Sequence, residues 1–168
     1  MKSIAKIIDT TQSKILLFAG LLGLSIAVPA FIHIQWVTGP MVNTALILAT
    51  VLIGPMEAVL IGLMPSTIAL VAGLLPLPLA PMVPFIMIGN AVLVAVFHYL
   101  YKKHFLLAVG IAAFLKFAFL HESVTLIMSK LLKQEIVAKL AVMMSWPQFF
   151  TAVIGGGVAF FILKWKKN

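Results

Sequence analysis

Leu115-Lys-Phe-Ala-Phe-Leu-His-Glu122 sets a lysine, a histidine and a glutamate inside or at the rim of an otherwise apolar run. A charge near the centre of a bilayer costs ~2.5–3.5 kcal/mol on insertion scales, so such a residue usually faces the bundle interior and marks a site. Lys116 and Glu122 are six positions apart, about 120° around a helix at ~100° per residue. They are not i,i+4 neighbours, so at least one of them needs a partner on another helix or on a ligand. Two placements satisfy Lys116. Either it faces the interior, or its stem snorkels to an interface while His121 and Glu122 already sit among the headgroups.

The composition settles the class. Of 168 residues 63% are hydrophobic and only 10% charged, with a mean hydropathy of +1.19. That much apolar surface exceeds what a soluble domain of this size buries, so the chain is expected to be an all-α integral membrane protein, a compact bundle in one domain. The length accommodates six spans of ~20 residues with short connections. Cysteine is absent, which excludes disulfides and thiol chemistry. All twelve basic residues are lysine, and the net charge is +8. The lysines flank the apolar runs, which points to membrane topology and away from nucleic acid.

Spans are expected at roughly Ile15–Ile32, Met41–Ile53, Ala58–Leu74, Met82–Tyr101, Phe105–Met128 and Trp146–Leu163. The first follows Lys2, Lys6 and Lys14 as a signal peptide would, with a small-x-small stretch at Ser25-Ile-Ala27. It is longer than a usual signal core, and Ala19, Gly23 and Ala27 recur every four residues as a packing face does. A polar island, His33-Ile-Gln-Trp-Val-Thr-Gly-Pro40, separates spans 1 and 2 and ends on a turn signal. Pro65-Ser66-Thr67 is expected to interrupt span 3, and Leu75–Pro81 to form a stiff apolar connection. Residues 129–144 alternate lysines with apolar side chains. They read as an amphipathic surface helix or as an extension of span 5.

Lysine counts set the orientation. Lys2, Lys6, Lys14, Lys102, Lys103, Lys164, Lys166 and Lys167 fall on one side, and Lys130, Lys133 and Lys139 on the other. The richer side is the cytoplasm, with both termini there. The outer half then gathers His33, Gln35, Trp36, Asn43, His121, Glu122, Trp146 and Gln148, with Asn90 and Lys116 at mid-depth. Polar groups concentrated in one half describe a pocket open to the outside, whereas a pore would need them at every depth. Lys116 is the candidate for an anionic group, with Asn90, Gln148, Glu122 and His121 as company and Asn43 beside them. Asn43 and Asn90 could equally glue helices together. Trp36 and Trp146 could stack on a ligand or sit in the interfacial belt.

Other chemistries lack their residues. The four histidines are scattered without metal-ligand spacing. His121, Glu122 and Ser123 are adjacent on a helix and point ~100° apart, so no triad forms there. No phosphate-binding glycine loop precedes a lysine, so no cofactor is expected and ATP cannot be used by this chain alone. A self-sufficient secondary transporter or metal permease, and less readily an intramembrane enzyme, remain as other classes.

Six spans, cytoplasmic termini, the small-residue row in span 1, the polar loop after it and outward polar residues in spans 4 to 6 together resemble the substrate-binding S components of energy-coupling factor (ECF) transporters. The resemblance implies capture of a vitamin-like nutrient at a prokaryotic cell membrane. It also implies a transmembrane coupling subunit and two ATPase subunits on separate chains. In that family an Ala-x-x-x-Ala motif of the first helix docks the coupling subunit. Here the positions are Ala19, Gly23 and Ala27, with glycine where alanine is expected. The family's first loop closes over substrate, a role that would fall to His33, Gln35 and Trp36.

Overall fold

The computed structural model describes residues 11–32, 34–73 and 77–165. His33, Lys2, Lys6, Lys166, Lys167 and residues 74–76 of the expected connection lie outside the described residues. All regular structure among the described residues is helical: α1 (Thr11–Phe31), α2 (Gln35–Leu52), α3 (Pro55–Val71), a 3₁₀ segment (Leu77–Met82), α4 (Val83–Leu100), α5 (Phe105–Glu122), α6 (Gln134–Met143) and α7 (Trp146–Trp165). A π-turn over Ser123–Met128 and a last α-turn over Ser129–Leu131 continue α5. Five of these segments are long and apolar enough to cross a bilayer, and α3 is a shorter apolar helix. The chain is therefore a multi-pass helical membrane bundle.

α2 is the central helix. Its residues Asn43 to Thr50 are buried in one unbroken run, because α1, α3, α4 and α7 pack around it while α5 closes the ring between α4 and α7. α2 starts at Gln35, not at Met41, so Gln35, Trp36 and the Gly39-Pro40 pair are helical and the expected loop over the site is corrected. Pro40 withholds one N–H, whose acceptor would be the Trp36 carbonyl in the exposed first turn, where the loss is tolerable. Gly39 serves packing: a Cβ there would fall 2.8 Å from Thr151 Cβ on α7.

The expected break at Pro65-Ser66-Thr67 is likewise absent, and α3 runs through it. A buried proline in a spanning helix is tolerated where neighbours satisfy the freed carbonyls. The carbonyl that Pro65 deprives of its donor is that of Ile61, four residues back; the next one, Gly62, accepts from Asn90 Nδ2 of α4 at 2.8 Å. The Thr67 hydroxyl donates to the Leu63 carbonyl at 2.8 Å.

The span 5 extension and the amphipathic helix both occur, in sequence. α5 continues to Leu131, and α6 then buries Leu140 while Lys133, Glu135 and Lys139 stay exposed. Two apolar clusters result. The larger fills the bundle around Leu46, Ile61, Leu93, Phe97 and Ala112. The smaller joins Met82, Leu120, Val124, Met128, Leu140 and Met144 at the opposite end, under α6.

α7 is wedged between α2 and α5 by adjacent glycines. A Cβ at Gly155 would sit 2.7 Å from the Pro40 carbonyl oxygen, one at Gly156 would collide with Val109 of α5, and one at Gly157 meets open space. Gly155→Leu should therefore lower the melting temperature of the detergent-solubilised protein, at an overpacking cost of about 1–3 kcal/mol or more. Gly157→Leu should leave it unchanged, and equal melting of the two variants would show that the α2–α7 seam is not tight.

Candidate binding site

Lys116 lies on the inward face of α5, four residues before Leu120 and four after Ala112, all three buried. It is 3% exposed, so the snorkelling placement is excluded. Its Nζ donates to Asn43 Oδ1 of α2 and to Asn90 Oδ1 of α4, each at 2.8 Å. Asn90 passes the connection on through its Nδ2 to Gly62 of α3. Asn43 is tied to α7 by contact, since a Cβ on Gly155 would fall 2.9 Å from Asn43 Cβ. Three helices thus meet at one ammonium, and the two asparagines link α3 and α7 to it. This polar layer separates the two apolar clusters, with Ala112 and Leu93 in the larger and Leu120 in the smaller.

Protonated, Lys116 carries a charge that nothing in the layer cancels. Both its partners are neutral amide oxygens, and among the described residues no carboxylate pairs with it. Nor does a hydroxyl turn to it. Thr44 Oγ1 donates to the Pro40 and Gly155 carbonyls at 2.7 and 3.0 Å, and Ser123 Oγ to the Phe119 carbonyl at 2.7 Å. Hydroxyls that return to their own helix backbone are satisfied locally.

Gln35 and Gln148 come together elsewhere. Both side-chain amides donate to the Met143 carbonyl, at 2.8 and 3.3 Å. Met143 ends α6, so this oxygen has no acceptor role inside its own helix, and the two glutamines pin the end of α6 to α2 and α7. Gln148 also lies 3.7 Å from Met144 Sδ. Gln148 is therefore engaged with α6 and not with Lys116.

The remaining candidates lie at the rim. Glu122 is exposed, with Thr125 Oγ1 3.5 Å from its Oε2. Trp36 is 53% and Trp146 57% exposed. The Trp146 ring stacks on Phe117 at 4.9 Å, and His121 stacks on the same ring at 5.8 Å. Phe117 thus occupies one face of Trp146 that a ligand would otherwise use. The buried His121 Nδ1 has no hydrogen-bond partner. No cluster of three or more metal-ligating side chains occurs among the described residues.

Of the nine residues singled out from the sequence, Lys116, Asn43 and Asn90 share one constellation, and Gln35 and Gln148 share a second. The Gly62 and Met143 carbonyls and the methionine cluster above Lys116 were not foreseen. Comparison with protein-family models, curated proteins and solved structures finds no match to the chain.

Removing one partner of a buried charged group costs more than removing the charge itself. Asn90→Leu strips one acceptor from Lys116 and the donor from Gly62, and should destabilise the protein by about 1–3 kcal/mol or more. Lys116→Met keeps the volume and removes the charge, so it should be near neutral or stabilising. Melting curves in one detergent compare them, and the opposite order would mean the ammonium is a net structural asset.

Proposed function

We propose that the chain is the solute-capture subunit of an ECF-type, ATP-driven importer in a prokaryotic cell membrane, taking a small anionic nutrient at the Lys116 layer. The observation that carries this is the lone ammonium, held between two neutral amides inside the bundle with no counter-charge beside it. An intramembrane cation without an anion is costly, and an anionic solute supplies the missing partner.

Two further features support capture over free conduction. Apolar clusters lie on both sides of the polar layer, so a solute reaching Lys116 has no continuous polar path onward. At the lysine-rich end Phe97 stacks on Tyr101 at 5.3 Å and meets Phe105 edge-on at 5.0 Å. Release on that side then falls to a larger movement, driven by a coupling subunit and two ATPases on other chains.

The α1 row supports a partner on that helix. Ala19, Gly23 and Ala27 are exposed, and a Cβ on Gly23 meets nothing within 4 Å. The row is not an internal packing seam of this bundle. Small side chains at this spacing let a second helix approach closely.

The solute is first identified by mass spectrometry of small molecules that co-purify with the protein. Lys116→Ala should weaken its binding at least tenfold without preventing membrane insertion. Gly23→Trp should keep wild-type binding and lose most of the ATP-dependent uptake when the chain is reconstituted with its coupling module. Uptake by this chain alone in vesicles would instead identify a self-sufficient transporter.

A further inference from the structure

The hydrogen-bond count around Lys116 narrows what the site can accept. An ammonium has three donors and a carboxamide two donors and one acceptor group. Lys116 spends two N–H groups on Asn43 Oδ1 and Asn90 Oδ1. Its third N–H has no acceptor among the described residues. Asn43 Nδ2 donates to none either, although the residue is 1% exposed. Asn90, by contrast, anchors its amide on the Gly62 carbonyl. Between the nearly buried residues Lys116 and Asn43, N–H groups therefore outnumber the acceptors that the described residues supply.

We propose that the solute is a monocarboxylate with an apolar body, its carboxylate seated between Lys116 Nζ and Asn43 Nδ2. This rests on the solute-capture function proposed above and names its substrate class. A carboxylate brings one negative charge and two acceptor oxygens. One oxygen takes the ammonium N–H as a charge-assisted bond, and the other takes an Asn43 N–H. A dianion or phosphate ester would bring a second charge and further oxygens into a layer with no second buried cation, since Lys116 is the one buried lysine among the described residues. Burying an unpaired charge or unbonded oxygen is strongly unfavourable.

The apolar body follows from what lies next to the layer. Leu120, one turn beyond Lys116 on α5, opens the smaller apolar cluster, which continues toward α6 through Val124, Met82, Met128, Leu140 and Met144. The buried polar side chain there is Ser123, whose hydroxyl is already bonded to Phe119. Three of those six residues are methionines, whose flexible thioethers repack around an irregular guest. In the other direction Ala112 and Ala113 pack closely within the larger cluster. The body is therefore accommodated on the methionine side, beneath α6.

The test is binding to the full chain purified in detergent, read as a thermal shift and by calorimetry. The probes are the aliphatic carboxylates from acetate to hexanoate together with benzoate. Each is paired with its primary amide, and the matching dicarboxylates and phenyl phosphate are added. At least one carboxylate should bind ten times more tightly than both its amide and the dianions. Asn43→Asp supplies a carboxylate to Lys116 from within the chain and should abolish that binding. Lys116→Met, which conserves volume, should abolish it too, and covers the case in which Asn43→Asp fails to fold. If an amide or a dianion binds best, or both variants bind carboxylates as wild type does, the substrate class is wrong while solute capture stands. If no carboxylate binds, the substrate class is again wrong. If in addition no small molecule co-purifies, the capture function falls with it.

Discussion

One ammonium fixes the register of the bundle. Lys116 can be held inside only where two acceptors reach its nitrogen, and these come from α2 and α4. The hydrogen bond from Asn90 to Gly62 extends the constraint to α3, and the glycine approach at Asn43 extends it to α7. Bonds to a charged group contribute about 1.5–3 kcal/mol each, roughly what is needed to offset a buried charge in a bilayer on insertion scales. Sliding any of these helices by one residue would rotate its polar side chain by ~100° and strand the lysine. α1 lies outside this constraint. Only Leu21 and Ser25 of that helix are buried, and its small-residue row is exposed.

The two sides of the polar layer differ in how they are packed. Below it, toward Phe97 and Phe105, aromatic rings and alanines interlock, and the glycines of α7 draw three helices together. Such an interior transmits strain and resists opening. Above it, the smaller cluster is covered by α6, a ten-residue helix held at its end through the Met143 carbonyl. The backbone beneath is a π-turn, a helical irregularity that recurs at functional sites. Few long-range contacts secure this end, and regions of that kind open at lower free energy than a core. A solute would meet the pliable end first and the rigid end last.

The fold was legible because hydrocarbon solvent leaves so few solutions. Long apolar runs had to be helices, and among the described residues five such segments appear with the shorter α3. The failures share a cause. Gly39-Pro40 and Pro65-Ser66 read as breaks by the rules for water-exposed chains, where a proline frees groups that solvent then claims. Inside a bundle the same glycine admits a neighbouring helix, as Gly39 admits Thr151, and the helix around a proline is braced by a side chain, as Asn90 braces the Gly62 carbonyl. The polar residues of the layer were legible from their cost, since Lys116, Asn90 and Asn43 interrupt apolar runs. Which of the outer polar residues joined them was not. Gln148 and Gln35 had to be seen against the end of α6, an orphan carbonyl that no sequence pattern marks.

A polar layer whose only task is adhesion would match its donors to its acceptors, as several buried hydroxyls of this chain do. Ser25 donates to Leu22, Thr50 to Leu46 and Thr44 to two carbonyls, each closing its own account within the protein. Two asparagines facing each other across helices would do the same without any charge. Lys116 departs from that pattern by adding a positive charge and a third N–H with no acceptor among the described residues. Adhesion explains the two bonds it makes and leaves unexplained why a cation makes them. An anionic guest accounts for both the charge and the idle donors, and the pliable methionine cluster on one side of the layer is where such a guest would be admitted.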